Sequence, residues 1–234
     1  MSVLYLTPTQ LSENTIHQVL PSHVLTILHG LKQFIVEDIR TTRRFLAKAQ
    51  HPEPFDNLQF RIVNEHTRED EISSLLPYLL ANDTGILSEA GLPVIADPGA
   101  SIVRLAHANG IRVIPLVGPS SILMALIASG LNGQSFSFVG YLPVHQKERQ
   151  DRLRKLEHRS TIEKQTQIFI ETPYRNMQLL DDILKSCRES TLLTIAANIT
   201  AKDEFIQTKP IREWKKMVLE LNKKPTVFLL QAQY

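Results

Sequence analysis

The chain has 234 residues, 43% of them hydrophobic, which is enough for one large packed core or two smaller ones. Lys and Arg total 26 against 24 Asp and Glu, and a net charge of +2 lacks the marked basic excess of many nucleic-acid-binding proteins, so charge leaves RNA open without pointing to it. The single cysteine, Cys187, excludes an internal disulfide framework and a cysteine-rich metal site, and fits a reducing compartment.

The opening MSVLYLTPTQ lacks the basic start, long apolar run and small-residue cleavage site of a signal peptide. No apolar stretch approaches the ~20 residues that span a bilayer. The expectation is a soluble, cytoplasmic protein with no membrane partner.

Apolar or β-branched runs predict strands over Val3–Leu6, Phe34–Val36, Arg61–Val63, Gly85–Leu87 and Val113–Leu116. Between them, Val24–Leu31, Thr41–Ala49, Arg68–Leu80 and Ile102–Asn109 carry apolar residues at helical spacing. Alternating strand and helix favours one mostly parallel sheet covered on both faces. A second series follows: helix Ser120–Ser129, strand Phe136–Val139, helix Lys147–His158, strand Ile168–Ile170, helix Asn176–Ser186, and strands Leu192–Ala197 and Thr226–Gln231. The turn Val117-Gly118-Pro119 interrupts regular structure and divides the chain into α/β domains at 1–117 and 118–234.

In open α/β sheets, ligands bind at the carboxyl ends of the strands. Leu87 to Gly99 is such a loop, directly after a buried strand and before a helix. Its small residues let a ligand approach the backbone, Pro93 and Pro98 stiffen it, and Glu89 and Asp97 supply acceptors suited to a cationic sulfonium nucleoside. Taken singly, Gly91 and Gly99 shape turns, Asp97 caps a loop or helix, and Ser120 of Gly118-Pro119-Ser120-Ser121 caps the following helix.

Several motifs in fixed order carry more weight than one glycine loop. Ser88-Glu89-Ala90-Gly91-Leu92-Pro93, Ala96-Asp97-Pro98-Gly99 and Gly118-Pro119-Ser120 are joined by Glu37-Asp38-Ile39-Arg40-Thr41-Thr42-Arg43, Asn64-Glu65-His66, Gly140-Tyr141-Leu142-Pro143 and Glu171-Thr172-Pro173-Tyr174-Arg175. Over nearly the whole chain this series resembles the tetrapyrrole methylase superfamily, and within it the ribosomal small-subunit RNA 2′-O-methyltransferase branch. The resemblance implies two α/β domains with mostly parallel or mixed sheets, S-adenosylmethionine folded into a cleft between them, and a homodimer. It places Pro8, Glu89, Ala90, Gly91, Leu92, Ser120, Ser121, Ile170, Ala197 and Thr226 at cofactor-contacting positions.

Three departures stand out. Leu6-Thr7-Pro8-Thr9-Gln10-Leu11 lacks the glycine of the branch's first loop, which alters that loop's shape. Glu89 replaces an Asp, moving the acceptor about 1.5 Å farther from the backbone. Ala196-Ala197-Asn198-Ile199-Thr200 stands where the branch has Ala-Arg-Glu-Leu-Thr, and the missing Arg and Glu weaken the transfer of substrate identity more than that of cofactor identity.

Methyl transfer is an in-line displacement that requires alignment and, for a hydroxyl nucleophile, loss of a proton; it requires no metal. The acid–base candidates are Glu37, Asp38, Glu65 and His66, with Arg40 and Arg43 available to hold an anionic substrate. The same residues also read as helix caps, surface charges and a loop histidine. The helix Lys147–His158 and the adjoining Arg159 supply six basic residues, either for phosphate contact or as a solvated face, while Phe205, Trp214 and Phe228 read as core aromatics. Methylation of ribosomal RNA, alone or in the small subunit, is the leading function. A tetrapyrrole or other small-molecule acceptor, and a catalytically diverged cofactor-binding scaffold, stand as alternatives.

Overall fold

A computed structural model describes residues 2–233. The chain divides into two compact units between Ser120 and Ser121, just past the hinge read at 117–118.

The first unit runs β1 (Val3–Thr7), α1 (Ile16–Val19), α2 (Ser22–Gly30), β2 (Gln33–Val36), α3 (Ile39–Lys48), β3 (Gln59–Ile62), α4 (Glu69–Ser73), α5 (Leu76–Ala81), β4 (Thr84–Leu87), α6 (Ala100–Ala108) and β5 (Arg112–Pro115). Its sheet has the order β3-β2-β4-β1-β5, and every neighbouring pair is parallel. Parallel strands covered on both faces read as continuous apolar runs, and β2 and β4 are buried at every residue. Alternate side chains serve opposite faces. Leu4, Ile35 and Ile86 pack with Ile72, Leu79, Ile102 and Ala106, while Phe34, Val36 and Leu87 pack with Leu28, Phe45 and Leu46.

One expectation is corrected here: Arg68–Leu80 is two helices, α4 and α5, rather than one. Pro77 lies in the first turn of α5 and has no N–H to donate back to the preceding turn. The Ser73 and Ser74 hydroxyls donate to the carbonyls of Glu69 and Glu71 at 3.0 and 2.6 Å, competing with the helix ladder at the break.

The second unit runs α7 (Ser121–Ser129), β6 (Phe136–Tyr141), α8 (Gln146–Glu163), β7 (Thr166–Ile170), α9 (Asn176–Ser186), β8 (Leu192–Ala197), β9 (Phe205–Pro210), α10 (Ile211–Trp214) and β10 (Thr226–Gln231). Its sheet is mixed, in the order β6-β7-β10-β8-β9, with only β6 and β7 parallel. The sequence reading lacked β9. This edge strand is rich in polar residues and ends in Pro210, a composition that central strands avoid. Phe169 and Phe228 stack in the core with ring centroids 6.0 Å apart, and the Trp214 indole N–H donates to the Leu193 carbonyl at 2.9 Å.

α8 carries a charge inward. Arg149 and Asp182 of α9 are fully buried, joined by Nε and Nη2 bonds of 2.8 and 2.5 Å to one carboxylate oxygen. Gln146 and Gln150 donate to the other oxygen, and Arg149 Nη1 donates to the Pro143 and Val144 carbonyls. Burial pushes the Asp182 carboxyl up, but the Gln150, Gln146 and Arg149 bonds overrule it and hold the group below its ordinary range. Among the described residues, no helix is long and apolar enough to cross a membrane.

A buried ion pair is most costly when one member is removed, because the other is left uncompensated. Asp182→Ala is expected to lower unfolding free energy by about 3–5 kcal/mol, read by chemical denaturation. A loss below ~1 kcal/mol would show that water reaches Arg149.

Candidate active site

In a parallel sheet every strand ends at the same edge, so the loops after β1, β4 and β5 share one rim. They interlock there. The Thr9 N–H donates to the Gly91 carbonyl at 2.9 Å, tying the first loop to the second. Gly91 has φ +77, and a Cβ at that position would lie 2.9 Å from Leu11 Cδ2 and 3.1 Å from the Pro119 carbonyl oxygen. A Cβ on Gly118 would fall 2.2 Å from Pro8 Cβ, inside a rigid ring. Pro8, Gly91 and the Gly118-Pro119 turn, which the sequence spreads over 112 positions, are therefore neighbours.

Three carboxylates gather at the same rim. Val36 and Leu87 are paired across β2 and β4, so Glu37 and the Ser88-Glu89 segment leave the sheet side by side. Burial, then the charges of Asp97 and Glu89, push the Glu37 carboxyl up to about 7, against a smaller lowering by the Glu89 backbone N–H. Burial and Glu89 raise Asp97 to about 6. Glu37 Oε1 is buried with no hydrogen-bond partner, and the buried hydroxyls of Thr7 and Thr9 also have none. An open pocket of about 290 Å³ is lined by Asn64, Glu65, Thr67, Asp97, Ser101 and Arg104, among others. Among the described residues, no group of three His, Cys, Asp or Glu side chains is arranged to hold a metal ion.

The other expected acid–base residues sit apart from this cluster. Asp38 caps α3, accepting from the Thr41 N–H and hydroxyl at 2.8 Å each, and these bonds hold its carboxyl below the ordinary range. Arg40 is exposed on the first turn of α3, and Arg43 lies about 6 Å from the Phe55 and Phe60 ring centroids. His66 and Glu65 form an exposed pair 3.6 Å apart, each side chain 84% accessible, although Glu65 also borders the pocket. In the loop after β4, Glu89 and Ala90 are exposed, Gly91 is buried and Leu92 is half-buried.

In the second unit, cross-strand pairing joins Thr226 to Ala197 and Val227 to Ile170, so Ile170, Ala197 and Thr226 meet at one end of the sheet. Ser121 opens α7, with Ser120 buried just before it. Glu171, which follows β7, is fully buried; its Oε1 accepts from Arg175 Nε and Nη2 at 3.0 and 2.6 Å and from the Thr172 N–H at 2.7 Å. Glu171 Oε2 and Asn176 Oδ1 are buried acceptors without partners. Sequence reasoning passed over Glu171, Thr7 and Thr9, although the Glu171–Arg175 motif signalled the first. Helix α8, read either as phosphate-contacting or as a solvated face, has Arg149 buried and Arg154 and Arg159 paired with Asp151 and Glu163, leaving Lys147, Arg152 and Lys155 on its solvated side.

No protein-family model matches the chain. Among curated proteins it is similar to the ribosomal RNA small subunit methyltransferase I of Vibrio cholerae, at 32% identity over 215 residues, covering 90% of this chain and 69% of that one. The protein of the same name from Escherichia coli O157:H7 is 32% identical over 90% of this chain and 70% of its own length. The counterpart from Halalkalibacterium halodurans is 38% identical over 68% of this chain and 55% of its own. Among solved structures, the methyltransferase CobJ superposes with a TM-score of 0.65 over 99% of this chain and 95% of CobJ, at 15% identity, a likeness of fold.

The carboxylate cluster has a stability signature. A carboxyl whose pKa is raised on folding holds its proton more tightly in the folded state, so its contribution is full below the unfolded value, near 4.5 for Glu37, and is lost as pH rises through about 7. Glu89→Gln is expected to flatten that decline and to lower the titration midpoints of Asp97 and Glu37, with burial keeping both above the ordinary carboxylate range. Carboxyl carbon shifts in an NMR titration read this directly; midpoints that do not move would remove the Glu89 charge as a cause, leaving burial for Asp97 and burial with the Asp97 charge for Glu37.

Proposed function

The chain belongs to the ribosomal RNA small subunit methyltransferase I family and is a methyltransferase, and on that premise we propose that it methylates a ribose 2′-hydroxyl of small-subunit ribosomal RNA using S-adenosylmethionine. The homodimeric state of this reading is carried over from the family resemblance, and a cytoplasmic place is the one the lone cysteine fits. The observation that carries the chemistry is Glu37, a carboxylate with an unpartnered oxygen at the rim of the parallel sheet, poised close to neutral pH.

The residues present fit the cofactor. The charges of Asp97 and Glu89 raise the proton affinity of Glu37, and that of Glu89 raises the proton affinity of Asp97, an excess of negative charge that a cationic sulfonium relieves. Thr7 and Thr9 offer unpaired hydroxyls, and Glu171 Oε2 and Asn176 Oδ1 offer acceptors for the amines and hydroxyls of a nucleoside. The family resemblance assigns cofactor contact to Pro8, Glu89, Ala90, Gly91, Leu92 and Ser120 within the first unit, and to Ser121, Ile170, Ala197 and Thr226 within the second. When bound, S-adenosylmethionine supplies an electrophilic methyl group on positively charged sulfur.

Glu37 takes the proton of the attacking hydroxyl at its carboxylate oxygen. A base works best when its pKa lies near the working pH, and burial together with Asp97 and Glu89 brings Glu37 there. Asp97, nearby on the pocket wall, keeps Glu37 proton-hungry, and Asp38 next door stays a helix cap. A small-molecule acceptor has no observation of its own, since the likeness to CobJ concerns fold.

The base must be ionised to act, so kcat/KM, which reports the free protein's groups, is expected to rise with pH, level off above about 7, and lose that rise in Glu37→Gln, which is slowed about 10²- to 10⁴-fold. The assay is methyl transfer to small ribosomal subunits that lack the modification. An unchanged rate and profile in Glu37→Gln would remove Glu37 from the chemistry, and no transfer by the wild type would overturn the proposed acceptor.

A further inference from the structure

Two loops of the second unit bring aromatic and basic side chains together. Tyr174, in the connection between β7 and α9, is 76% exposed, and Tyr141, which pairs with Ile170 from the end of β6, is 55% exposed. Arg175 follows Tyr174. Its Nε and Nη2 are fixed to buried Glu171 while its side chain stays 31% accessible, so the guanidinium is held in one orientation with further N–H groups to offer. The turn before β10 lies against this loop: the Lys223 N–H donates to the Pro173 carbonyl at 3.1 Å, bringing Lys223 and Lys224 alongside. Lys224 is only loosely paired, 3.9 Å from Asp203.

We propose that Tyr174, Arg175 and Lys223 form a docking surface for a single-stranded segment of the RNA substrate, the tyrosine stacking on a base and the two cations holding the flanking phosphates. A ring left in water beside an oriented guanidinium and a lysine matches what single strands require, a stacking face and a positive backbone track. Place supports the assignment as well as chemistry. The patch adjoins Ile170 and Thr226, at the end of this unit's own sheet to which the family resemblance assigns its cofactor contacts. The inference rests on the RNA reading above and adds where that RNA is held.

The test is fluorescence anisotropy of a short labelled oligouridylate with the whole protein, alongside methyl transfer to ribosomal RNA. Tyr174→Ala is expected to weaken binding roughly 5- to 150-fold, with Tyr174→Phe restoring it. Lys223→Gln is expected to reduce the slope of log affinity against log salt by about 0.7. The exposed positions of both side chains predict unchanged melting temperatures and unchanged cofactor affinity. If the wild type binds RNA and both variants bind it equally well, the docking surface is wrong while the methylation reading stands. If binding falls in the variants but the wild type transfers no methyl to ribosomal RNA, the surface stands and the acceptor is wrong. A wild type that binds no RNA overturns the surface outright.

Discussion

The close approach of backbone to backbone at the rim of the first sheet governs everything built on it. Gly118 sits so near the Pro8 ring that no larger residue fits, and Gly91 must be left-handed while threading between Leu11 and the Pro119 carbonyl. With those two contacts made, the Thr9 N–H reaches the Gly91 carbonyl and three separate loops become one wall. The residues around that wall acquire their properties from it. Glu89 is held where its charge reaches both Glu37 and Asp97, and the hydroxyls of Thr7 and Thr9 are left in a buried setting without partners.

Adjacent acids with opposite fates show how local the determinants are. Glu37 and Asp38 are consecutive, yet one is destabilised as an anion by burial and two like charges, and the other is stabilised as an anion by hydrogen bonds from Thr41. The difference is the side on which each leaves the strand end. Composition cannot convey it.

What could be read from the sequence follows the same division. Buried parallel strands leave unbroken apolar runs, so β2 and β4 were legible, and the glycines and prolines of the loops could be recognised because their order is rigid. Arg149 could not be placed, because its partner Asp182 is 33 residues away and a basic helix gives no sign of which arginine turns inward. The break between α4 and α5 was available in Pro77 but was outweighed by helical spacing on either side of it. β9 carries too much polarity for a strand pattern, and it needs little apolar character because it pairs on one side only. Gly118 signalled a turn, whereas its contact with Pro8 is a tertiary fact.

The buried Arg149–Asp182 pair also constrains how this chain can change over generations. Either charge alone is a liability inside the second unit, yet replacing both with well-packed apolar residues is often harmless or favourable. The two positions are thus inherited as one character, and any lineage that has lost the arginine should have lost the aspartate with it. Gln146 and Gln150 depend on Asp182 in turn and become free to drift only after it has gone.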